Sequence, residues 1–100
     1  MQHNSAANAG GINNSPNATL TVTDSQVSGN SASGKAGGIN NSANATVTMT
    51  DSRVNGNSAG LDGGGIYNDA AGTITLSDSR VRHNTPNNCS PPGSVPGCTG

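Results

Sequence analysis

Short segments of strict alternation between threonine and apolar residues recur along this chain. Thr19–Thr23 reads Thr-Leu-Thr-Val-Thr, and close copies occupy residues 46–50 and 73–77, each 27 positions after the last. Successive side chains of a strand point to opposite faces, so each segment predicts a strand with one apolar and one hydroxyl-bearing face. Glycine recurs every few residues and no helical spacing of apolar residues is present, which disfavours helices. The pattern predicts an all-β chain.

The repeat extends well beyond the alternating segments. Gly-Gly-Ile stands at residues 10–12, 37–39 and 64–66. The loop before the first copy is one residue shorter than the loop before each of the other two. Each 27-residue unit contains three short β segments separated by Gly-, Asn- and Ser-rich corners. A unit of this length fits one coil of a parallel β-helix, whose strands pair with their own copies about 4.8 Å away. We predict about three such coils in residues 1–84, followed by a tail at residues 85–100.

The alternation assigns the apolar residues of every unit to the interior. A corner must fall at Asp24-Ser25, because Val22 and Val27 both point inward although they lie five residues apart. The predicted core is Ile12, Leu20, Val22, Val27, Ile39, Val47, Met49, Val54, Ile66, Ile74, Leu76 and Val81.

Two asparagine positions also recur in every unit, at predicted corners. Identical asparagines stacked along the axis can hydrogen-bond amide to amide, as they do in other stacked β structures. The predicted structural ladders are Asn14, Asn41 and Asn68 in one column and Asn30, Asn57 and Asn84 in the other.

The repeat motifs resemble those of known bacterial proteins. Gly-Gly-Ile and Val-x-x-Asn are similar to the paired repeats of the chlamydial polymorphic outer membrane proteins, although Val27, Val54 and Val81 stand where those repeats have Phe. The run Gly-Gly-Ile-Tyr-Asn, Thr-Ile-Thr-Leu, Ser-Arg-Val also resembles secreted bacterial β-helix proteins, and the tail more weakly resembles those of actinobacteria. The resemblance implies a single-stranded, right-handed, pectate-lyase-like β-helix and a secreted or cell-surface location. The crossover preference of parallel strands agrees with that handedness.

The first residues align with the end of a unit. Residues 1–4 match Val81-Arg82-His83-Asn84, and residues 1–12 have neither the basic start nor the apolar stretch of a signal peptide. Natural solenoids usually protect their first ladder with a cap. We therefore expect a C-terminal piece of a longer protein. The alternative is a short protein that associates end to end through its uncapped first coil.

The tail contains four of the five prolines and both cysteines. Proline donates no ladder hydrogen bond, so we expect the coil to stop at Thr85-Pro86. Cys89 and Cys98 could be disulfide-bonded, free or metal-bound; metal binding needs further ligands, and His83 is the only obvious one nearby. We expect a disulfide, which indicates an oxidising compartment.

Composition narrows the range of functions. The net charge is −1, charged residues make up 9% of the chain, and Tyr67 is the only aromatic residue. There is no basic excess to hold nucleic acid and no apolar run long enough to span a bilayer. Phosphate-loop, dinucleotide and nucleophile motifs are lacking, so no cofactor and no catalytic residue is predicted.

Two surface columns are the remaining candidates for chemistry. Asp24, Asp51 and Asp78 form a carboxylate column that is a weak candidate for Ca²⁺, although aspartates at such corners more often accept backbone N–H groups. The threonines form a hydroxyl array that resembles the ice-binding faces of β-helical antifreeze proteins, although threonine is also common on outward strand faces. The predicted array is Thr19, Thr21, Thr23, Thr46, Thr48, Thr50, Thr73 and Thr75.

These observations favour a non-enzymatic surface or secreted scaffold, with an adhesin-like role toward a glycan or protein. The alternatives are a fragment of a β-helical polysaccharide lyase or glycoside hydrolase and, less favoured, an ice-binding protein.

Overall fold

The structure is a computed structural model that describes residues 5–6, 10–69, 71–90 and 93–98. In this part of the chain all regular elements are β-strands, as predicted, and helices are absent. The strands are β1 (Ser5–Ala6), β2 (Ile12–Asn14), β3 (Thr19–Thr23), β4 (Gln26–Ser28), β5 (Ser31–Ala32), β6 (Ile39–Asn41), β7 (Thr46–Thr50), β8 (Arg53–Asn55), β9 (Ser58–Ala59), β10 (Ile66–Asn68), β11 (Thr73–Ser77), β12 (Arg80–Arg82) and β13 (Cys89–Ser90).

The strand pairs of the described residues are all parallel and form four open sheets. The sheet orders are β1-β5-β9, β13-β10-β6-β2, β11-β7-β3 and β12-β8-β4. Three of the sheets contain the three predicted β segments of each repeat, and β13 adds a fourth strand to one of them. The two-residue strands β1, β5 and β9 form a further sheet that the sequence pattern does not predict. Successive repeats therefore lie side by side. This arrangement is consistent with a parallel β-helix-like solenoid.

The sequence repeat is also the strand register. Leu20 pairs with Val47, and Val47 pairs with Ile74. The first sheet shows the predicted one-residue slip, because Ser5 pairs with Ser31 whereas Ser31 pairs with Ser58. A shift by one residue in any of the alternating strands would turn its apolar side chains outward, which fixes the register.

The core consists of the apolar columns, and the middle repeat is the most completely enclosed. Its four predicted core residues, Ile39, Val47, Met49 and Val54, are all 0% exposed. In the first repeat Ile12 and Leu20 are only partly buried, because their strands lie at the outer edge of their sheets.

Left-handed backbone conformations mark the corners at recurring positions. Asp24, Asp51 and Asp78 have φ angles of 48°, 49° and 49°. Asparagine, aspartate and glycine adopt this region most easily, which suits them to these corners. The other recurring corner positions of positive φ are Asn17, Asn44 and Ala71; Gly29, Gly56 and His83; and Ala36 and Gly63.

The Gly-Gly pair brings adjacent repeats into close contact. A Cβ atom on Gly37 would collide with the backbone carbonyls of Ser58 and Gly64. A Cβ on Gly38 would lie 2.5 Å from the carbonyl oxygen of Gly65. Side chains are therefore excluded at both positions by the backbone of the next repeat.

Strand pairing continues past the point where the prolines predicted an end. Thr85 bridges Ser58, and β13 pairs with β10 through Cys89 and Ser90. The residues that pair are not prolines, so the ladder passes Pro86 without needing its missing N–H. The division at residues 84 and 85 remains a prediction, and the alignment of residues 1–4 lies outside the described residues.

Candidate functional site

The predicted asparagine columns lie inside the molecule and form hydrogen-bonded ladders. The side-chain amide of Asn14 donates to Oδ1 of Asn41 at 3.0 Å, and that of Asn41 donates to Oδ1 of Asn68 at 3.0 Å. Asn68 in turn donates to the carbonyl oxygen of Ser94 at 3.0 Å. The column thus connects all three repeats and ends on the tail at residues 85–100, which we call the C-terminal segment.

The second column runs through another corner in the same way. Nδ2 of Asn30 donates to Oδ1 of Asn57 at 3.1 Å, and Nδ2 of Asn57 donates to Oδ1 of Asn84 at 3.0 Å. The backbone N–H groups of Asn30 and Asn57 donate to the same oxygens, each at 2.9 Å. Asn84 then donates to Oδ1 of Asn88 at 3.0 Å, so this column also ends on the C-terminal segment.

A third polar column, of serines, is present in addition to the two that the sequence predicts. The backbone N–H of Ser25 donates to Oγ of Ser52 at 3.1 Å, and that of Ser52 donates to Oγ of Ser79 at 3.0 Å. The 27-residue spacing of these serines is a usable signal for it. Among the described residues, no buried side-chain nitrogen or oxygen lacks a hydrogen-bond partner. The two asparagine columns, which lie inside, and the serine column, of which only Ser52 is buried, are therefore structural.

The threonine array forms one outward face, which we call the threonine face. Thr19, Thr46 and Thr73 are register partners, as are Thr21, Thr48 and Thr75. The third column is Thr23, Thr50 and Ser77. The first and third repeats expose these side chains, whereas those of the middle repeat are half-buried. The face can present rows of hydroxyl groups about 4.8 Å apart along the stacking direction.

The aspartate column lies at exposed corners beside a second outward face. Asp51 and Asp78 line a shallow depression of about 340 Å³ together with Ser52, Arg53 and Arg80. The structure thus brings two acids and two bases together, although charged residues are few in the sequence. In the described part of the chain, no group of three or more His, Cys, Asp or Glu residues is placed to hold a metal ion.

The second outward face is formed by β8 and β12, and we call it the arginine face. Arg53 and Arg80 are register partners, and Arg82 pairs with Asn55. A depression of about 210 Å³ is lined by these four residues and His83. All three arginine side chains are exposed. The sequence does not single out this face, because Arg82 and His83 have no copies in the second repeat.

Lys35 has partners of its own, away from the arginine face. Its Nζ lies 4.5 Å from the centre of the Tyr67 ring and 3.2 Å from the Tyr67 hydroxyl. The ammonium group therefore makes a cation–π contact together with a hydrogen bond.

A disulfide closes a loop within the C-terminal segment, and a carboxylate attaches the segment to the repeats. Cys89 and Cys98 are bonded to each other, as predicted. Oδ2 of Asp62 accepts a hydrogen bond from Ser90 at 2.6 Å, and Oδ1 accepts one from Nδ2 of Asn87 at 2.9 Å. These bonds, with smaller contributions from the Gly63 N–H and the Lys35 charge, outweigh burial and hold the pKa of the Asp62 carboxyl below its ordinary value of 3.8.

Comparison with known proteins adds no assignment. No protein-family model, curated protein or solved structure matches the chain. Within the described residues, no helix is long and apolar enough to cross a membrane.

Proposed function

We propose that this chain is a non-enzymatic scaffold, built as a single-stranded, right-handed parallel β-helix and displayed on a bacterial surface or secreted. The observation that carries the proposal is the 27-residue register, which the strand pairs of all four sheets follow from repeat to repeat. The pair β1–β5 departs from it by one residue. Right-handedness is supported by the strong preference of parallel crossovers for that hand.

The recurring residues support a scaffold because each of them serves the stacking. Gly37 and Gly38 permit close approach of the next repeat, Asp24 and its copies turn corners, and the buried asparagines connect repeats. Here the positions that vary between repeats are mostly the outward ones.

The proposed location rests on the disulfide. Structural disulfides persist in oxidising compartments and are rare in the reducing cytosol. The Cys89–Cys98 bond secures the segment that covers one end of the core, where Val95 is only 2% exposed. A bond with this structural role fits a secreted or surface-exposed chain.

The opposite end supports end-to-end association with a second copy. β2, β3 and β4 are terminal strands of their sheets, and Ile12 and Leu20 beside them are only partly buried. Unpaired edge strands are templates for further strand pairing. A second copy presents the same partly covered apolar side chains together with the same free backbone groups, so two open ends complement each other.

A lyase or hydrolase remains the alternative, and one observation favours it. Asp51, Asp78, Arg53 and Arg80 meet around one depression, and acids and bases in one groove are what such chemistry requires. The arginine face would then be part of the active groove.

An activity assay separates the two. The purified, oxidised chain is incubated with acidic and neutral polysaccharides while unsaturated products and new reducing ends are measured. The double variant Arg53→Gln with Arg80→Gln is the matched control, because Gln26 already occupies the equivalent position of the first repeat. We expect equal background rates from both proteins. Product release by the natural chain that the double variant loses would overturn the scaffold proposal.

The threonine face supports a third candidate function, ice binding. Its nine hydroxyl-bearing residues lie in three register columns, which gives a regular outward grid. Thermal hysteresis in the natural chain that Thr48→Lys removes would support this function. A blank result with the natural chain would eliminate it.

A further inference from the structure

The positive charge of this chain is concentrated on the arginine face. The chain has four lysines and arginines in all, and three of them are Arg53, Arg80 and Arg82 on the adjacent strands β8 and β12. Arg53 and Arg80 stand directly opposite each other in the register. Like charges at opposite positions destabilise a sheet, so sheet stability does not account for this arrangement.

Carboxylates lie beside these guanidinium groups at the aspartate corners, but among the described residues none lines the depression that includes Arg82. Asp24 and Asp51 lie beside Arg53 around one depression. Asp51 and Asp78 lie beside Arg53 and Arg80 around a separate depression. The depression that includes Arg82 and His83 has no carboxylate in its lining.

His83 at the rim of this depression breaks the pattern of the repeats. It has a φ of 56°, and the equivalent positions of the first two repeats are Gly29 and Gly56, at 66° and 67°. A left-handed conformation is unfavourable for a residue with a Cβ. Ala36 and Ala71 adopt the same conformation at other corners, so His83 differs from the equivalent glycines in the side chain that it brings to the depression.

We propose that this depression binds a phosphate or sulfate monoester group. The forked donors of arginine match the oxygens of tetrahedral oxyanions, and bidentate contacts of this kind are stronger than neutral hydrogen bonds. Arg53, Arg80 and Arg82 supply three positive charges, and Asn55 and His83 add further hydrogen-bond donors at the edge. The first repeat has Gln26, Ser28 and Gly29 at the corresponding positions, so the site belongs to the second and third repeats only.

The proposal is tested by titrating the full chain with inorganic phosphate and, separately, with inorganic sulfate at low ionic strength. Amide chemical shifts are followed by NMR, and sodium chloride at matched ionic strength controls for screening. We expect saturable shifts centred on Asn55, Arg82 and His83 with at least one of the two anions, and the stronger binder identifies the natural ester. Shifts that chloride reproduces equally, or that do not saturate with either anion, would overturn the proposal.

Charge-removing variants then locate the site. Arg82→Asn introduces the residue that its register partner Asn55 already has, and Arg80→Gln introduces the equivalent of Gln26. We expect each to raise the dissociation constant at least fivefold, whereas Lys35→Gln, which removes the same charge elsewhere, leaves it within twofold. Thermal unfolding verifies that all three variants fold. Equal weakening by Lys35→Gln, or none by Arg82→Asn in the folded protein, would show that binding is not at this site.

Discussion

At the scale of single residues, the polar composition is explained by what each recurring side chain does for the backbone. The buried asparagines replace the apolar contacts that a small core lacks with hydrogen bonds that cross from one repeat to the next. Asn41 shows how many bonds one side chain can make: its amide donates to Oδ1 of Asn68 and to the carbonyls of Ala45 and Thr73, and its own oxygen accepts from Asn14.

Replacing Asn41 with alanine should therefore cost far more than the same change at its neighbour Asn40. Asn41→Ala removes these bonds and leaves the buried Oδ1 of Asn68 without its donor, at a cost of about 1–3 kcal/mol, whereas Asn40 makes an exposed bond to Asn13 at 2.9 Å. We expect Asn40→Ala to lower the free energy of unfolding by less than about 1 kcal/mol. Urea unfolding of the two variants compares them directly, and similar losses would refute a structural role for the buried column.

At the scale of the elements, the strands are short and depend on their neighbours. β7 has partners on both sides, whereas β3 is a terminal strand that has only β7 beside it among the described strands. The N–H of Thr46 donates to the carbonyl of Ala18 in the first repeat. Alternate residues of a parallel strand direct their backbone N–H groups to the same side, so the N–H of Thr48 also points toward the first repeat. The N–H of its register partner Thr21 then points away from the sheet, to the open edge of β3.

Proline should therefore be tolerated at Thr21 and not at Thr48. Thr21→Pro removes an N–H at the open edge, where proline is normally accommodated. Thr48→Pro deletes a ladder bond between repeats and leaves a carbonyl unpaired, which costs about 1–3 kcal/mol before any strain in the backbone is added. Thermal unfolding should show a much lower midpoint for Thr48→Pro, and equal midpoints would contradict the inferred directions of these two N–H groups.

Thr21→Pro also tests end-to-end association. If two copies pair through the open edge of β3, the missing N–H should weaken the dimer. Sedimentation at several concentrations should then show more monomer for Thr21→Pro than for the natural chain. A concentration-dependent dimer that the variant does not weaken would place the contact elsewhere.

At the scale of the whole molecule, the two ends differ. One end leaves Ile12 and Leu20 partly uncovered, and at the other the C-terminal segment brings Val95 and Cys89 onto the core. That segment is held by the disulfide, by the ends of both asparagine columns and by Asp62. Its attachment should therefore respond to reductant and to acid.

Asp62 should make the attachment sensitive to low pH. Its pKa is lower in the folded than in the unfolded chain, so its contribution is present above the unfolded value of about 3.9 and is lost as pH falls through the folded value. Asp62→Asn should be less stable at neutral pH and should lose less stability on acidification. Thermal midpoints measured from neutral pH to about pH 3 test this. Parallel profiles for Asp62→Asn and the natural chain would refute the role of this carboxylate.

The sequence alone determined three strands of each repeat, their register and most of the inward residues, because a 27-residue repeat makes each position's neighbour its own copy. It did not predict the two-residue strands β1, β5 and β9. The same repeat predicted both asparagine columns, and the two cysteines of the tail predicted the disulfide. The tertiary structure alone decided where the pattern is broken. The attachment of Asp62 to Asn87 and Ser90, the pairing of β13 past Pro86, and the arginine face with His83 all involve residues without a copy in every repeat. A periodic sequence specifies the contacts between a residue and its own copies. Contacts between unlike residues depend on which of them the folded chain places next to each other.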